Sequence, residues 1–186
     1  IESELRVYVA IDSPVKFSVL SVCNRSDRQR RLSVTGYVDW VLGDERAKTQ
    51  MHVVTEIDAD SGALLARNAY NTDFAGRTAF FDVEVGGVEA GGVAREICGD
   101  RGDFLGEAGS LAAPAALMQP QLSGRVGAAL DPCAALRVSF DLAPGQTRVV
   151  VFRLGAGKTA DAARDLLRRW RQPGAADEAL TAVHAF

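Results

Sequence analysis

Two short stretches of the sequence gather residue types that bind or react. Asp100-Arg101-Gly102-Asp103-Phe104-Leu105 sets charges of both signs beside an aromatic ring. Such a combination suits a loop facing a ligand or a partner, although Phe104 could equally anchor a solvated loop to the core. Asn68-Ala69-Tyr70-Asn71-Thr72-Asp73-Phe74 mixes amides with aromatics. Aromatic faces stack on sugar rings and amides hydrogen-bond to hydroxyls. Tyr70, Asn71, Phe74, Asp100, Arg101 and Phe104 are therefore the candidate ligand- or partner-facing residues.

The remaining chemistry-bearing types give weaker patterns. Asp39, Glu56, Asp58, Asp73 and Asp100 are carboxylates of the kind that glycoside chemistry uses in pairs, but spacing along a chain does not set their separation. Two histidines, His52 and His184, are too few for a His-rich metal site, so no metal is expected. Cys23, Cys98 and Cys133 are odd in number and widely spaced, without a C-x-x-C, which points to buried free thiols in a reducing compartment. Leu154-Gly155-Ala156-Gly157-Lys158-Thr159 sits between a strand and a helix, where a phosphate-binding loop would sit. The glycine such a loop needs ahead of Gly157 is Phe152 instead, so a plain strand-to-helix turn is expected and no cofactor is implied.

These residues are carried by a chain of 186 residues and 19.8 kDa, enough for one core that needs no disulfide or metal. With 47% apolar and 24% charged residues the composition is globular. A net charge of −3 lacks the basic footprint of a nucleic-acid binder. No apolar stretch approaches the roughly 20 residues of a membrane span, so the segment is expected to be soluble.

Period-two alternation dominates up to residue 157. Val15, Phe17 and Val19 alternate with polar positions and run into an Asn24-Arg25-Ser26-Asp27 turn. Leu32, Val34, Val38, Trp40 and Leu42 share one face of a long strand opposite Arg31, Ser33, Thr35, Tyr37 and Asp39, with Gly36 as a candidate bulge. Residues 51–57 and 63–66 form a hairpin about 58–62, and 78–83, 136–142 and 148–154 are further strands. The last two are joined by Ala143-Pro144-Gly145-Gln146 and expected to pair. Leu5, Val7 and Val9 open the chain as a strand already under way, and residues 85–122 dissolve into a Gly-rich loop. From Thr159, a candidate N-cap, the period changes to helical, with Ala163, Leu166, Leu167 and Trp170 on one face. Pro173-Gly174 breaks that helix, and a second one runs to an uncapped Phe186, so the chain reads as a piece of a longer protein. The expected fold is mainly β, an antiparallel sandwich over 1–157 followed by linker helices over 158–186.

Longer strings then carry a resemblance. Gly36-Tyr37-Val38-Asp39-Trp40-Val41-Leu42-Gly43, Met51-His52-Val53-Val54-Thr55-Glu56-Ile57, Asn68 to Arg77, Gly99-Asp100-Arg101 with Phe104-Leu105-Gly106, and Leu130-Asp131-Pro132-Cys133-Ala134-Ala135-Leu136 stand in this order. In that order they resemble the phosphorylase-like region of bacterial cyclic β-1,2-glucan synthases, itself similar to the glycoside hydrolase family 94 phosphorylases. Asp39 stands where that family often has Glu. The resemblance implies an antiparallel β-supersandwich of galactose-mutarotase type, leading into a catalytic α/α-barrel of the same parent chain. It implies that the general acid and the phosphate-binding residues belong to that barrel, so no catalytic residue is assigned here and the chain alone is expected to be inactive. It further implies a supporting role toward barrel, homodimer and β-1,2-glucan, with phosphate handled by the parent and no nucleic acid involved. The parent would lie at the cytoplasmic side of the bacterial inner membrane. A free-standing carbohydrate-binding module and a mutarotase-like epimerase are the rival readings.

Overall fold

The computed structural model of the protein describes residues 1–70, 73–86, 93–107 and 109–186. The alternating segments form nine strands among those residues: β1 (Glu2–Val9), β2 (Val15–Cys23), β3 (Arg30–Asp39), β4 (Val53–Ile57), β5 (Leu64–Asn68), β6 (Thr78–Val85), β7 (Arg95–Asp100), β8 (Pro132–Leu142) and β9 (Thr147–Gly157). They make a six-stranded sheet in the order β1-β2-β9-β6-β5-β4 and a three-stranded sheet in the order β3-β8-β7, antiparallel throughout. Two short helices, α1 (Arg46–Thr49) and α2 (Arg101–Leu105), and two longer ones, α3 (Ala160–Trp170) and α4 (Ala175–Ala185), complete the chain.

Successive side chains of a strand point to opposite faces, so each sheet has two faces to cover. Between the sheets lie Leu64, Phe81, Val83, Val150 and Phe152 from the larger one and Ala134, Leu136, Val138, Phe140 and Trp40 from the smaller side. The outer face of the large sheet presents Phe17, Leu65 and Phe80, on which Ala163, Leu167 and Trp170 of α3 and Ala175 and Ala179 of α4 pack. Phe17 and Phe80 are fully buried there, worth roughly 1.5–3 kcal/mol each. Thr159 caps α3, its hydroxyl accepting from the Ala162 amide at 3.1 Å, as expected from the sequence. The outer face of the small sheet carries Cys98, Cys133 and Ala135 and is covered by Phe104, Leu105, Ala116 and Leu122. The four layers explain why β6, in the middle, is buried almost along its length.

Three local expectations are corrected. β8 and β9 do not pair: their Pro-Gly turn, with Gly145 at φ +71°, carries the chain from one sheet to the other. The buried Asn24 explains why that crossover is stable. Its side chain donates to the Leu142 carbonyl at 2.9 Å and its main chain bonds Gly145 and Gln146, which ties the β2–β3 and β8–β9 crossovers together. Gly36 marks no bulge, since β3 pairs with β8 without a break. It is needed because a Cβ there would lie 2.5 Å from the Phe152 ring and 2.8 Å from Phe81. The register shift falls instead between Cys98 and Asp100 in β7, a strand the sequence pattern hid within its Gly-rich loop. Residues 87–92 of that loop lie outside the described residues. The strand expected at Leu5, Val7 and Val9 is present as β1; it buries only Tyr8, on the helix side, while Leu5, Val7 and Val9 stay more than half exposed.

A buried ion cluster fastens the helices to the large sheet. Asp82 of β6 has no solvent exposure and accepts from Arg153 of β9 at 3.3 Å and from Arg171, just past α3, at 3.0 Å. Gly36→Ala is expected to cost about 1–3 kcal/mol through overpacking against Phe152 and Phe81. Asp82→Asn, which removes the carboxylate shared by Arg153, Arg171 and Arg95 and leaves Arg153 only Glu84, is expected to cost about 3–5 kcal/mol. Urea denaturation at constant m-value measures both, and unchanged midpoints would contradict the packing described here.

Candidate functional site

One end of the sandwich gathers most of the chemistry-bearing residues. β3, β5, β7 and β9 end there, at Asp39, Asn68, Asp100 and Gly157, and β4, β6 and β8 begin there, at Val53, Thr78 and Pro132. The connections 40–52 and 69–77 and the start of the 101–131 segment therefore emerge side by side, although they are far apart in sequence. Asn68 stitches two of them, its side-chain amide donating to the Leu42 carbonyl at 3.0 Å. Leu42 stands at φ +41°, a strained conformation for a residue with a branched side chain, and this bond helps hold it.

Over the small sheet the end is organised by opposite charges. Arg101 lies 3.6 Å from Asp39 and 3.5 Å from Asp131. Arg46, at the start of α1, bonds Asp131 and lies 3.6 Å from Asp39. The Tyr37 hydroxyl donates to Asp39 at 2.6 Å, and burial together with this bond raises its phenol above the ordinary value. Two carboxylates and two guanidinium groups thus neutralise one another. Their geometry pins the ends of β3, β7 and β8 and leaves Arg101 about two-fifths exposed at the rim.

Beside this network the large sheet presents aromatics. Tyr70 is 73% exposed, with its ring stacked on His52 at 4.0 Å. Phe74 is half exposed, with the Arg77 guanidinium 4.9 Å over its ring. Leu42, Gly43, Asn68, Phe74, Arg77, Ala79 and Ala156 line a hollow of about 250 Å³. That is below the usual range for drug-sized ligands and fits a single ring or an inserted side chain.

The six candidates from the sequence thus divide. Tyr70, Phe74 and Arg101 reach the surface at this end. Phe104 does not face outward: it is 2% exposed, stacked on Tyr37 at 4.9 Å, because the cover of the small sheet needs an apolar anchor. Asp100 is also largely buried and is the N-cap of α2, accepting from the Gly102 amide at 2.9 Å with Arg125 at 3.3 Å. Asn71 lies outside the described residues. Sequence reasoning passed over Arg46, Asp131 and His52 as members of this end. Asp131 and His52 stood inside strings already noted, whereas Arg46 follows an unremarkable acidic turn and gave no signal.

Elsewhere the buried carboxylates Asp58 and Asp82 are structural. Asp58 holds the β4–β5 turn through Ser61 and pairs with Arg164 of α3 at 2.7 Å. Burial works to raise its carboxyl, but the bonds from Arg164 and Ser61 prevail and hold it below the ordinary value. The stretch resembling a phosphate loop is packing: a Cβ on Gly155 would strike the Phe80 ring at 2.5 Å, and one on Gly157 the α3 backbone at 2.3 Å. Among the described residues no three His, Cys, Asp or Glu side chains come together to hold a metal, and no helix is long and apolar enough to cross a membrane. The assembled end can bind and dock; among its described carboxylates Asp39, Asp100 and Asp131 each lie beside an arginine.

Comparison with known proteins fits this architecture. The family described as "Glycosyl hydrolase 94, supersandwich domain" matches residues 1–173. The chain is 37% identical over 174 residues to the cyclic beta-(1,2)-glucan synthase NdvB of Rhizobium meliloti (strain 1021), covering 91% of this chain and 6% of that protein. It is 26% identical over 174 residues to the solabiose phosphorylase of Paenibacillus borealis, covering 91% of this chain and 22% of that protein. The chain therefore spans less than a quarter of the length of either relative. A mainly β, antiparallel two-sheet fold with few helices, matched over almost its whole length, places the chain in the glycosyl hydrolase 94 supersandwich family.

Proposed function

We propose that the chain is the non-catalytic β-sandwich domain of a larger enzyme of the cyclic β-1,2-glucan synthase or glycoside phosphorylase type. In this reading the end bearing Arg101, Tyr70 and Phe74 packs against the catalytic α/α-barrel of the same parent and helps position β-1,2-glucan. The carrying observation is that end itself. Three sequence-distant connections converge there, the carboxylates Asp39 and Asp131 are neutralised by Arg46 and Arg101, and the half-exposed Phe74 lines a hollow sized for one inserted group. A surface built to be covered has these properties, a hydrogen-bonded polar rim beside an apolar recess.

The exposed area supports the same reading. The chain shows 10275 Å² of accessible surface, whereas a compact monomer of its mass is expected to show about 8,600 Å². Part of the excess is the stripe Leu5, Val7 and Val9 on the edge strand, which favours a protein contact and accommodates the homodimer expected of such a parent. The segment 158–186 would serve as the helical connection toward the barrel. Location at the cytoplasmic side of an inner membrane belongs to the same proposal and would be a property of the parent.

The isolated chain is expected to show no phosphorolysis of β-1,2-glucan or sophorose; turnover above background would overturn the assignment. In the full-length parent, Arg101→Ala is expected to lower kcat/KM about tenfold, equivalent to about 1.4 kcal/mol, without unfolding the domain. Unchanged kinetics would remove this end from the catalytic interface. The exposed Tyr70 on His52 favours one rival, a self-sufficient sugar-binding module. Saturable heat on titrating the isolated chain with β-1,2-glucans would select it.

A further inference from the structure

The two edges of the large sheet differ. At one, β4 is five residues long and its outer backbone is engaged, the Thr55 amide donating to the Gly127 carbonyl at 3.0 Å. At the other, β1 runs for eight residues and pairs with β2 on one side only; its other side meets no backbone among the described residues. A long edge of this kind is a template for pairing with another chain. Its side chains add a second feature. Leu5 lies opposite Leu20 of β2, which packs on the core between the sheets, so Ser3, Leu5, Val7 and Val9 share that face. Leu5, Val7 and Val9 are each more than half exposed, as is Ile1 just before the strand. Glu2, Glu4, Arg6 and Tyr8 share the face on which the helices pack.

The strand is self-complementary about Leu5. Laid antiparallel against a second copy with Leu5 opposite Leu5, it sets Ser3 opposite Val7 and Ile1 opposite Val9 on the apolar face. On the other face Glu4 falls opposite Arg6, twice, and Glu2 opposite Tyr8. Arg6 donates to Glu4 of its own chain at 2.8 Å, so each carboxylate would lie between two guanidinium groups. Sliding the second copy by two residues is the smallest step that keeps the faces matched. It places Arg6 opposite Arg6 in one direction and Glu4 opposite Glu4 in the other, and like charges directly opposite repel. The charges thus select a single register.

We propose that β1 is a self-association surface whose partner is a second copy of this chain, paired antiparallel through β1 about a two-fold axis at Leu5. The two six-stranded sheets then continue into one another across the axis. Such a contact is isologous: it uses up the edge on both copies and closes as a dimer, where a head-to-tail contact would grow into a fibre. The inference gives an interface to the homodimer of the proposed function, yet it concerns this chain alone and stands or fails independently of the parent's activity.

The test is sedimentation velocity of the chain over a range of micromolar concentrations, where the expected species is a dimer of twice the 19.8 kDa chain mass. Glu4→Arg and Arg6→Glu alter side chains that are 62% and 53% exposed, so the circular dichroism spectrum is expected to stay unchanged. Each reversal makes all four charges at the axis alike and is expected to raise the dimer Kd about tenfold or more. Mixed in equal amounts, the two variants are expected to recover the wild-type affinity as a heterodimer, because opposite charges then face each other at both positions. The native cysteines are buried, so Leu5→Cys is expected to give an inter-chain disulfide under mild oxidation and Val9→Cys, facing Ile1, is not. A monomer at every concentration, a dimer indifferent to both reversals, a mixture that fails to recover, or cross-linking through Val9→Cys as readily as through Leu5→Cys would each overturn the proposal.

Discussion

The fold hangs on one carboxylate. Asp82 sits without solvent in the middle of the large sheet, and a lone ion there would be too costly to keep. Arg153 and Arg171 bond it directly and Arg95 approaches to 3.5 Å, so β9, the end of α3 and the start of β7 all converge on β6. The same arginines reach further. Arg171 and Arg95 donate to the Ser61 carbonyl in the β4–β5 turn at 2.8 and 3.0 Å, and Arg153 donates to the Trp170 carbonyl at 2.8 Å. Hydrophobic layers alone would let helices and sheets slide, since burial is nondirectional. The cluster fixes their register, and through β7 it ties the small sheet to the large one.

That register decides what reaches the surface at the loop-bearing end. β7 is anchored at Arg95 by the Asp82 cluster, and five residues on it delivers Asp100 to cap α2 and Arg101 to the rim beside Asp39 and Asp131. β3 delivers Tyr37 and Asp39 from its outward face, and Trp40 from its inward face plugs the core behind them. The rim therefore inherits its geometry from the interior.

Much of this was legible in the sequence because alternation and capping are local. The faces of β3, the cap at Thr159 and the apolar stripe of α3 follow directly from side-chain period and hydrogen-bonding type. What escaped was set by contacts distant in sequence. Gly36 looks like any strand glycine until Phe152 and Phe81 arrive from the other sheet. β7 hides in a Gly-rich stretch because its pairing partner, β8, begins 32 residues after it ends. The turn between β8 and β9 has hairpin chemistry, and only the pairing of β8 with β3 and of β9 with β2 shows that it changes sheets. At the candidate site, the residue types of Tyr70, Phe74 and Arg101 were readable. The burial of Phe104 was not, because an aromatic in a charged loop reads alike whether it anchors or binds.

The proposed role requires the loop-bearing end to be the covered face in the proposed parent enzyme. Hydroxyl-radical footprinting of this chain and of the full-length parent measures it through three exposed, reactive side chains: Met51 and Tyr70 at that end, and Met118 on the cover of the small sheet. The account predicts strong protection of Met51 and Tyr70 in the parent with Met118 labelled equally in both. Protection of Met118 with Met51 and Tyr70 unchanged would contradict it and move the interface to the opposite side of the small sheet.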